Sequence, residues 1–286
     1  MRAALVADTM PPDRFVSAMG ASRTTSDSAR IVGSLAGAGL FAALGLGRAY
    51  IAITGFYLIG FLLTLGVSSA RHGAHLMARN SLWRDLQEGL AYLWQTPSSL
   101  AALWLAFLVN LTAFPMTSGL LPFIAKDVYH MDQTGLGYLI ASFAFGSLLG
   151  SILIGMIGRT IRPARMMIVF AIAWYAVLLV FSRIRDPAAG GLTLICGGLA
   201  QSLSLVPMSA LLLHGAGAYR GRVMGMRMLA IYGLPVGLLA AGALIDRIGF
   251  AATTTLYCAI GISLTLCIAL RWRAALWPLH APANAR

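Results

Sequence analysis

The sequence predicts an all-α fold, a polytopic bundle of about eight membrane-spanning helices. Three observations predict it. Eight apolar runs follow one another along the 286-residue chain, each near the about 20 residues that cross a bilayer. Charged residues make up only 10% of the sequence and the mean hydropathy is +0.80. Soluble domains carry roughly 25% charge, so this chain has too little polar surface to stay in water. Finally, residues 219–249 have a looser copy at residues 13–45: Met19-Gly20 matches Met224-Gly225, Val32-Gly33 matches Val236-Gly237, Ala36-Gly37 matches Ala241-Gly242, and Leu44-Gly45 matches Ile248-Gly249. Internal repeats in apolar chains mark membrane folds built from duplicated halves.

The runs are 29–46, 49–69, 100–121, 135–157, 166–181, 191–214, 223–245 and 250–270. The first helix is expected to begin earlier, after Pro11-Pro12, as a polar lead-in to the bilayer. Between the second and third runs the chain turns polar. There Leu82, Leu86, Leu90 and Leu93 share one helical face flanked by Trp83 and Trp94, with Arg84, Glu88 and Gln95 opposite. That is the pattern of an interfacial amphipathic helix, too polar to span. Asn110, Phe114 and Thr117 fall on one face of the third run beside Pro115, and Gln201, Ser204 and Met208 on one face of the sixth beside Pro207. Helix breaks next to polar faces mark cavities or moving parts in membrane folds; helix–helix hydrogen bonding is the plainer alternative. Gly33/Gly37, Gly146/Gly150 and Gly233/Gly237 are GxxxG pairs that let backbones approach closely.

Orientation follows from the basic residues. Sixteen of the 21 Lys and Arg residues fall on the side that holds both termini, including the loop arginines Arg159, Arg162, Arg165, Arg220 and Arg222. The positive-inside rule makes that side cytoplasmic. Arginine greatly outnumbers lysine, Lys126 being the single lysine, which fits a bacterial source. Residues 1–10 carry no apolar core, so no cleavable leader is expected.

Several chemistries are excluded. The net charge of +12 suits nucleic acid, but the arginines sit in short clusters between apolar runs, without an aromatic-interleaved basic face. No Walker motif, HExxH or placed Ser/His/Asp set is present, so neither an enzyme nor a cofactor or metal site is expected, and ATP-driven work would need a separate subunit. Cys196, Cys258 and Cys267 lie inside apolar runs and read as small packing residues. Among nine acids, only Asp27 reaches membrane depth. Arg23 and Arg30 stand four residues before and three after it, so a local ion pair is expected. No carboxylate stands plainly at the bilayer midplane, where proton-coupled transport usually needs one.

The segments WRDLQEGLAYLWQTPSSLAALWLAFLVNL (83–111), LLPFIAKDVYHMDQTGLGYLIASFAFGSLLGS (120–151) and YRGRVMG (219–225) resemble the major facilitator superfamily. Within it they most resemble the bacterial exporters of the enterobactin-exporter type and their macrolide-efflux relatives. RAALVADTMPPDRFVSAMG resembles the loop that leads into that branch's fifth helix. The resemblance implies a partial major-facilitator fold that matches helices five to twelve, with helices one to four absent from this chain. It divides the sequence into residues 1–71 (the last two helices of the first half), 72–97 (the linker with its amphipathic helix), 98–273 (a complete six-helix second half) and 274–286 (a cytoplasmic tail). In the loop GMIGRTIRPARMM, Arg159 stands where the family often has an aspartate, so a gating ion pair is not expected there.

The expected function is secondary export of amphipathic small molecules such as drugs, macrolides or siderophores, driven by proton exchange. Asn110, Phe114, Gln201, Ser204 and Tyr232 are the substrate-cavity candidates. The expected partners are the lipid bilayer of the bacterial inner membrane, a small-molecule substrate and protons; the oligomeric state is left open. The alternatives are a transport-incompetent fragment of such a transporter and, further off, a permease subunit working with an ATPase. Reporter fusions after Arg71, Arg162 and Arg220 are expected to read as cytoplasmic, and fusions after Lys126 and Arg185 as external. One fusion on the wrong side breaks the eight-span topology.

Overall fold

The computed structural model describes residues 15–65, 82–158, 161–213 and 219–277. Arg2, Arg14, Arg71, Arg79, Arg159, His214, Arg286 and most of the 274–286 tail lie outside them. The elements are α1 (Phe15–Leu65), α2 (Leu82–Gln95), α3 (Pro97–Thr112), α4 (Gln133–Ile157), α5 (Pro163–Phe181), α6 (Pro187–Leu213), α7 (Arg220–Ala230), α8 (Gly233–Ile248) and α9 (Phe250–Arg271). This is an all-α polytopic helix bundle. Among the described residues, six stretches are long and apolar enough to cross a membrane: Ala18–Gly45, Gln133–Ile157, Pro163–Phe181, Pro187–Leu213, Gly221–Ile248 and Phe250–Arg271. Two shorter apolar helices, Gly47–Leu63 and Pro97–Thr112, occupy the other two predicted runs.

The first helix starts at Phe15, ahead of its apolar run. Within α1 the helix breaks at Gly45, where φ is 71° and ψ 173°. Between α8 and α9 the break falls at Gly249, with φ 80° and ψ 166°. These are the two glycines that the repeat aligns. An L-residue would be strained at either position, so the repeated sequence corresponds to a repeated backbone event.

Proline sets the other interruptions. Pro115 has no N–H to give the Leu111 carbonyl, and the third run goes on as a π-turn at Pro115–Gly119, a short turn at Leu121–Phe123 and a second π-turn at Ile124–Val128. The regular part of α3 is therefore only 16 residues, about 24 Å at 1.5 Å per residue. Pro235 likewise cannot bond to the Ile231 carbonyl, which instead accepts from Leu234 N at 2.9 Å. That separates α7 from α8 inside one apolar run.

The packing order runs α1 on α4, α4 on α6, and α6 on α5, with α9 against α5 and α3 and with α8 against α3. The main core lies among α3, α5, α6 and α9, around Trp174, Tyr175, Phe181, Leu105 and Met116. Two of the three GxxxG pairs make the expected close approach. A Cβ on Gly146 would land on the Ile195 carbonyl, and one on Gly237 would land on the Leu111 carbonyl. A Cβ on Gly33 or Gly37 would meet nothing within 4 Å among the described residues. The face that α1 applies to α4 runs instead through Gly20, Thr24, Asp27 and Ala38, and at 100° per residue positions 33 and 37 fall to the side of it.

Two loop acids prove to be helix caps. Asp132 accepts from Gly135 N at 2.8 Å at the start of α4, and Asp186 accepts from Ala189 N at 2.7 Å at the start of α6. Between them Tyr129 is buried edge-on against Phe181, in the space that a side chain on Gly190 would take. Burial, with the nearby Asp186 carboxylate, pushes its phenol up to about 12.

The amphipathic helix is present as α2, but it does more than lie on a surface. Leu93 is fully buried, whereas Leu90 and Trp94 stay exposed. Its polar side docks on α7: Glu88 pairs with Arg222 at 2.8 Å, Tyr92 stacks on Tyr219 with ring centroids 5.2 Å apart, and the Arg222 guanidinium lies over the Tyr219 ring.

Substitution of Gly146 by Ala is expected to destabilise the chain by about 1–3 kcal/mol through overpacking. The same change at Gly242, where a Cβ meets nothing, is expected to be neutral or stabilising by up to about 1 kcal/mol. Thermal unfolding in detergent measures both, and equal shifts would refute the seam.

Candidate functional site

In lipid, helices gain little from burying apolar side chains against one another, so polar groups and close backbones decide where they join. Hydrogen bonds between helices serve this purpose. Thr112 Oγ1 and Tyr175 Oη lie 2.7 Å apart between α3 and α5, Ser204 Oγ donates to the Met167 carbonyl at 2.9 Å between α6 and α5, Tyr257 Oη donates to the Gly237 carbonyl at 2.7 Å between α9 and α8, and Thr24 Oγ1 donates to Ser151 Oγ at 3.1 Å between α1 and α4.

The expected cavity residues take up different roles. Asn110 Nδ2 donates to the Ala106 carbonyl of its own helix at 2.8 Å. Phe114, one turn on, packs edge-on against buried Trp174 with centroids 5.3 Å apart. Thr117 is buried and bonds back to the Ala113 carbonyl. Ser204 is spent on the α5 backbone. Tyr232 sits in the α7–α8 break and is exposed. Gln201 is different: it is wholly buried, and neither its amide nitrogen nor its oxygen has a hydrogen-bond partner. On α5, buried Trp174 likewise has an indole N–H without a partner. Ser99 and Ser202 hydroxyls are buried and unpartnered too. Each such group costs about 1–3 kcal/mol if nothing satisfies it. The structure does not gather the five candidates around one cavity. Asn110 and Phe114 share a face of α3, Gln201 and Ser204 share the α5-facing side of α6, and Tyr232 stands apart.

Two of the grooves beside α3 are apolar. One, of about 350 Å³, lies between Leu103, Trp104 and Phe107 of α3 and Met226 and Leu229 of α7. The other, of about 460 Å³, is lined by Trp104, Phe107, Leu111, Leu264 and Ile268, with Arg271 among its lining residues. Both are overwhelmingly apolar.

The loop arginines also divide. Arg162 precedes α5 as its exposed N-cap residue, and Arg165 has a buried Nε without a partner. Arg220 opens α7, and Arg222 is held by Glu88. Arg159 lies outside the described residues.

Asp27 is a further residue whose reach the sequence understated. The local pair with Arg23 forms, with Nε 3.2 Å from the carboxylate, but Asp27 is also wholly buried and accepts from Ser147 Oγ of α4 at 3.0 Å. The carboxylate thus joins two helices 120 residues apart in sequence. Its being the only acid in the first apolar stretch was the available signal. Nothing in the sequence pointed to Ser147.

Met19 of α1 and Met224 of α7 close the same end of the bundle. They share a small apolar cluster with Ile154 of α4 and Leu203, Val206, Ala210 and Leu213 of α6. These are the methionines of the two aligned Met-Gly pairs.

Replacing Asp27 by Ala is expected to cost about 2–3 kcal/mol, less than the about 3–5 kcal/mol of a fully buried broken pair because Arg23 is partly exposed. Pairing it with Arg23→Met is expected to recover most of the loss. A double-mutant cycle on unfolding in detergent reads the coupling, and strict additivity would refute it.

Comparison with known proteins gives a consistent result. The family model for the Major Facilitator Superfamily matches residues 1–238, from the first residue into α8. No curated protein matches the chain. The match covers most of the sequence, and its length agrees with a bundle of long apolar helices carrying a repeated glycine break: the chain is a multi-pass membrane protein that belongs to the major facilitator superfamily.

Proposed function

We propose that this chain acts as a secondary active transporter of the bacterial inner membrane, exporting amphipathic small molecules such as drugs, macrolides or siderophores by alternating access and exchange for protons. Residues 1–71 supply the last two helices of one half, 72–97 the linker and 98–273 the second half, with both termini cytoplasmic. The observation that carries the reading is Gln201, a neutral amide with its full hydrogen-bonding capacity unspent in an apolar interior. A structural glutamine there would be a net cost; a glutamine that meets a polar group of a substrate, or the water that precedes it, would not. The apolar grooves along α3 suit the hydrocarbon part of such a molecule.

Access would alternate by rocking of the two halves about the α1–α4 seam. The apolar cluster of Met19 and Met224 is the contact that has to part when the cytoplasmic side opens. A second reading, in which the chain is transport-incompetent by itself, is favoured by the 47–63 helix. Its Ile51, Phe56, Tyr57 and Leu63 are mostly exposed, and further membrane helices would cover them.

Gln201→Leu is expected to leave membrane levels and unfolding temperature unchanged or raised, since it removes an unsatisfied amide, while lowering dye or macrolide efflux about tenfold. Asn110→Leu is expected to lower efflux less. Parallel loss of protein and transport would refute the cavity role. Gradient-dependent, saturable transport by the purified chain in liposomes would refute the second reading.

A further inference from the structure

The repeat brings two arginines to one place. Arg23 and Arg227 stand 204 residues apart, the same offset as Gly45 and Gly249. Each follows its methionine, Met19 or Met224, by about one helical turn, and those methionines meet in one apolar cluster. Arg23 lies within direct electrostatic reach of both Arg227 and Arg30. Among the described residues, one carboxylate serves all three guanidiniums. Asp27 is engaged by Arg23 at 3.2 Å and by Ser147 at 3.0 Å, and it acts on Arg30 only through space. Among the described residues Arg30 and Arg227 make no hydrogen bond or ion pair.

The group therefore carries two positive charges in excess beside an apolar cluster, where like charges repel far more than in water. What this arrangement lacks is an anion. Guanidinium forks match the paired oxygens of a carboxylate or phosphate, and they lose less entropy on binding them than a lysine would.

We propose that Arg23 and Arg227, with Arg30 at the rim, form a binding site for an oxyanion, the phosphate or carboxylate of an amphipathic ligand or of an anionic lipid headgroup, which ties the two copies of the repeat together. An anion bridging Arg23 and Arg227 holds α1 and α7 side by side and keeps the Met19–Met224 cluster closed. Asp27 is the internal competitor, because it already occupies one side of the Arg23 guanidinium. Removing its charge therefore tightens anion binding, a sign that a merely structural role for Asp27 does not produce. The site does not depend on the chain being an exporter, and its test reads binding and not transport.

The experiment uses the full chain in an uncharged maltoside detergent, with thermal unfolding followed against increasing octyl phosphate and inorganic phosphate. A parallel arm uses nanodiscs of phosphatidylcholine with and without phosphatidylglycerol. A saturable rise in unfolding temperature is expected from at least one phosphate source. Arg23→Gln and Arg227→Gln are each expected to weaken it about tenfold or more, and Arg247→Gln, at the exposed end of α8, to leave it unchanged. Stabilisation by phosphatidylglycerol alone identifies a lipid headgroup; stabilisation by octyl or inorganic phosphate in detergent identifies a soluble anion. Absence of any saturable shift in the wild-type chain, an unchanged response in the Arg23 and Arg227 variants, or an equal loss in Arg247→Gln overturns the site. Should Arg227→Gln fail to fold, Asp27→Asn decides the matter: tighter binding supports the site, and unchanged or weaker binding overturns it.

Discussion

Close backbone approach along α4 is the constraint on which the rest of this bundle depends. One face of α4 meets α6 through Gly146 and Gly150, so near that a methyl group at either would collide with Ile195 or with Leu199 and Ser202. The adjoining face meets α1, where a Cβ on Gly20 would crowd Gly155 and Ser151 and one on Gly137 would crowd Ala38. In a bilayer these contacts replace the hydrophobic drive of soluble cores, because lipid is as good a neighbour for leucine as another helix is. Small residues gain dispersion contacts over the whole helix length, and they bring short hydroxyls within reach of opposing groups. Ser147 and Ser151 reach Asp27 and Thr24 for that reason.

On this frame the chain distributes its irregularities by rule. Glycine breaks fall at the two repeat-related positions Gly45 and Gly249, with nearly the same dihedral angles. Proline breaks fall at Pro115 and Pro235, each of which leaves a carbonyl without its usual donor, whereas Pro207, expected to break the sixth run, lies inside a continuous α6. The regular helices between them carry the packing, and the breaks are where the chain can change direction at least cost. A transporter that rocks needs rigid bodies with few, defined discontinuities, and the observed distribution has that character.

The interior also holds polar groups that are not used up by packing. Thr112, Tyr175, Ser204 and Tyr257 are matched across helix interfaces. Gln201, Trp174 and Ser202 are not. The charged groups divide in the same way: Glu88 and Arg222 pair at the edge, Asp27 and Arg23 pair in the interior, and Arg227, within electrostatic reach of Arg23, has no carboxylate partner among the described residues. Unspent capacity in a low-dielectric setting is where a bound molecule gains most.

The sequence by itself determined the all-α membrane class, the order of the helices, the repeat and the three candidate sites of close approach, because hydropathy, run length and small-residue spacing act locally along the chain. It also determined that Gly45 and Gly249 are equivalent, since both copies carry the same apolar-Gly pair. It could not tell which GxxxG pair would meet a partner. That depends on the rotation of α1 against α4, and a shift of one residue turns a helix face by 100°, enough to leave Gly33 and Gly37 without a contact. The fate of the polar faces was equally hidden. Ser204 and Gln201 share a helical stripe, yet one meets a backbone carbonyl and the other has no hydrogen-bond partner, a difference that depends on how α5 lies against α6. Only the tertiary structure brought Ser147 to Asp27 and Arg227 to Arg23, because both encounters join residues more than a hundred positions apart, and local pattern carries no information about contacts at that range.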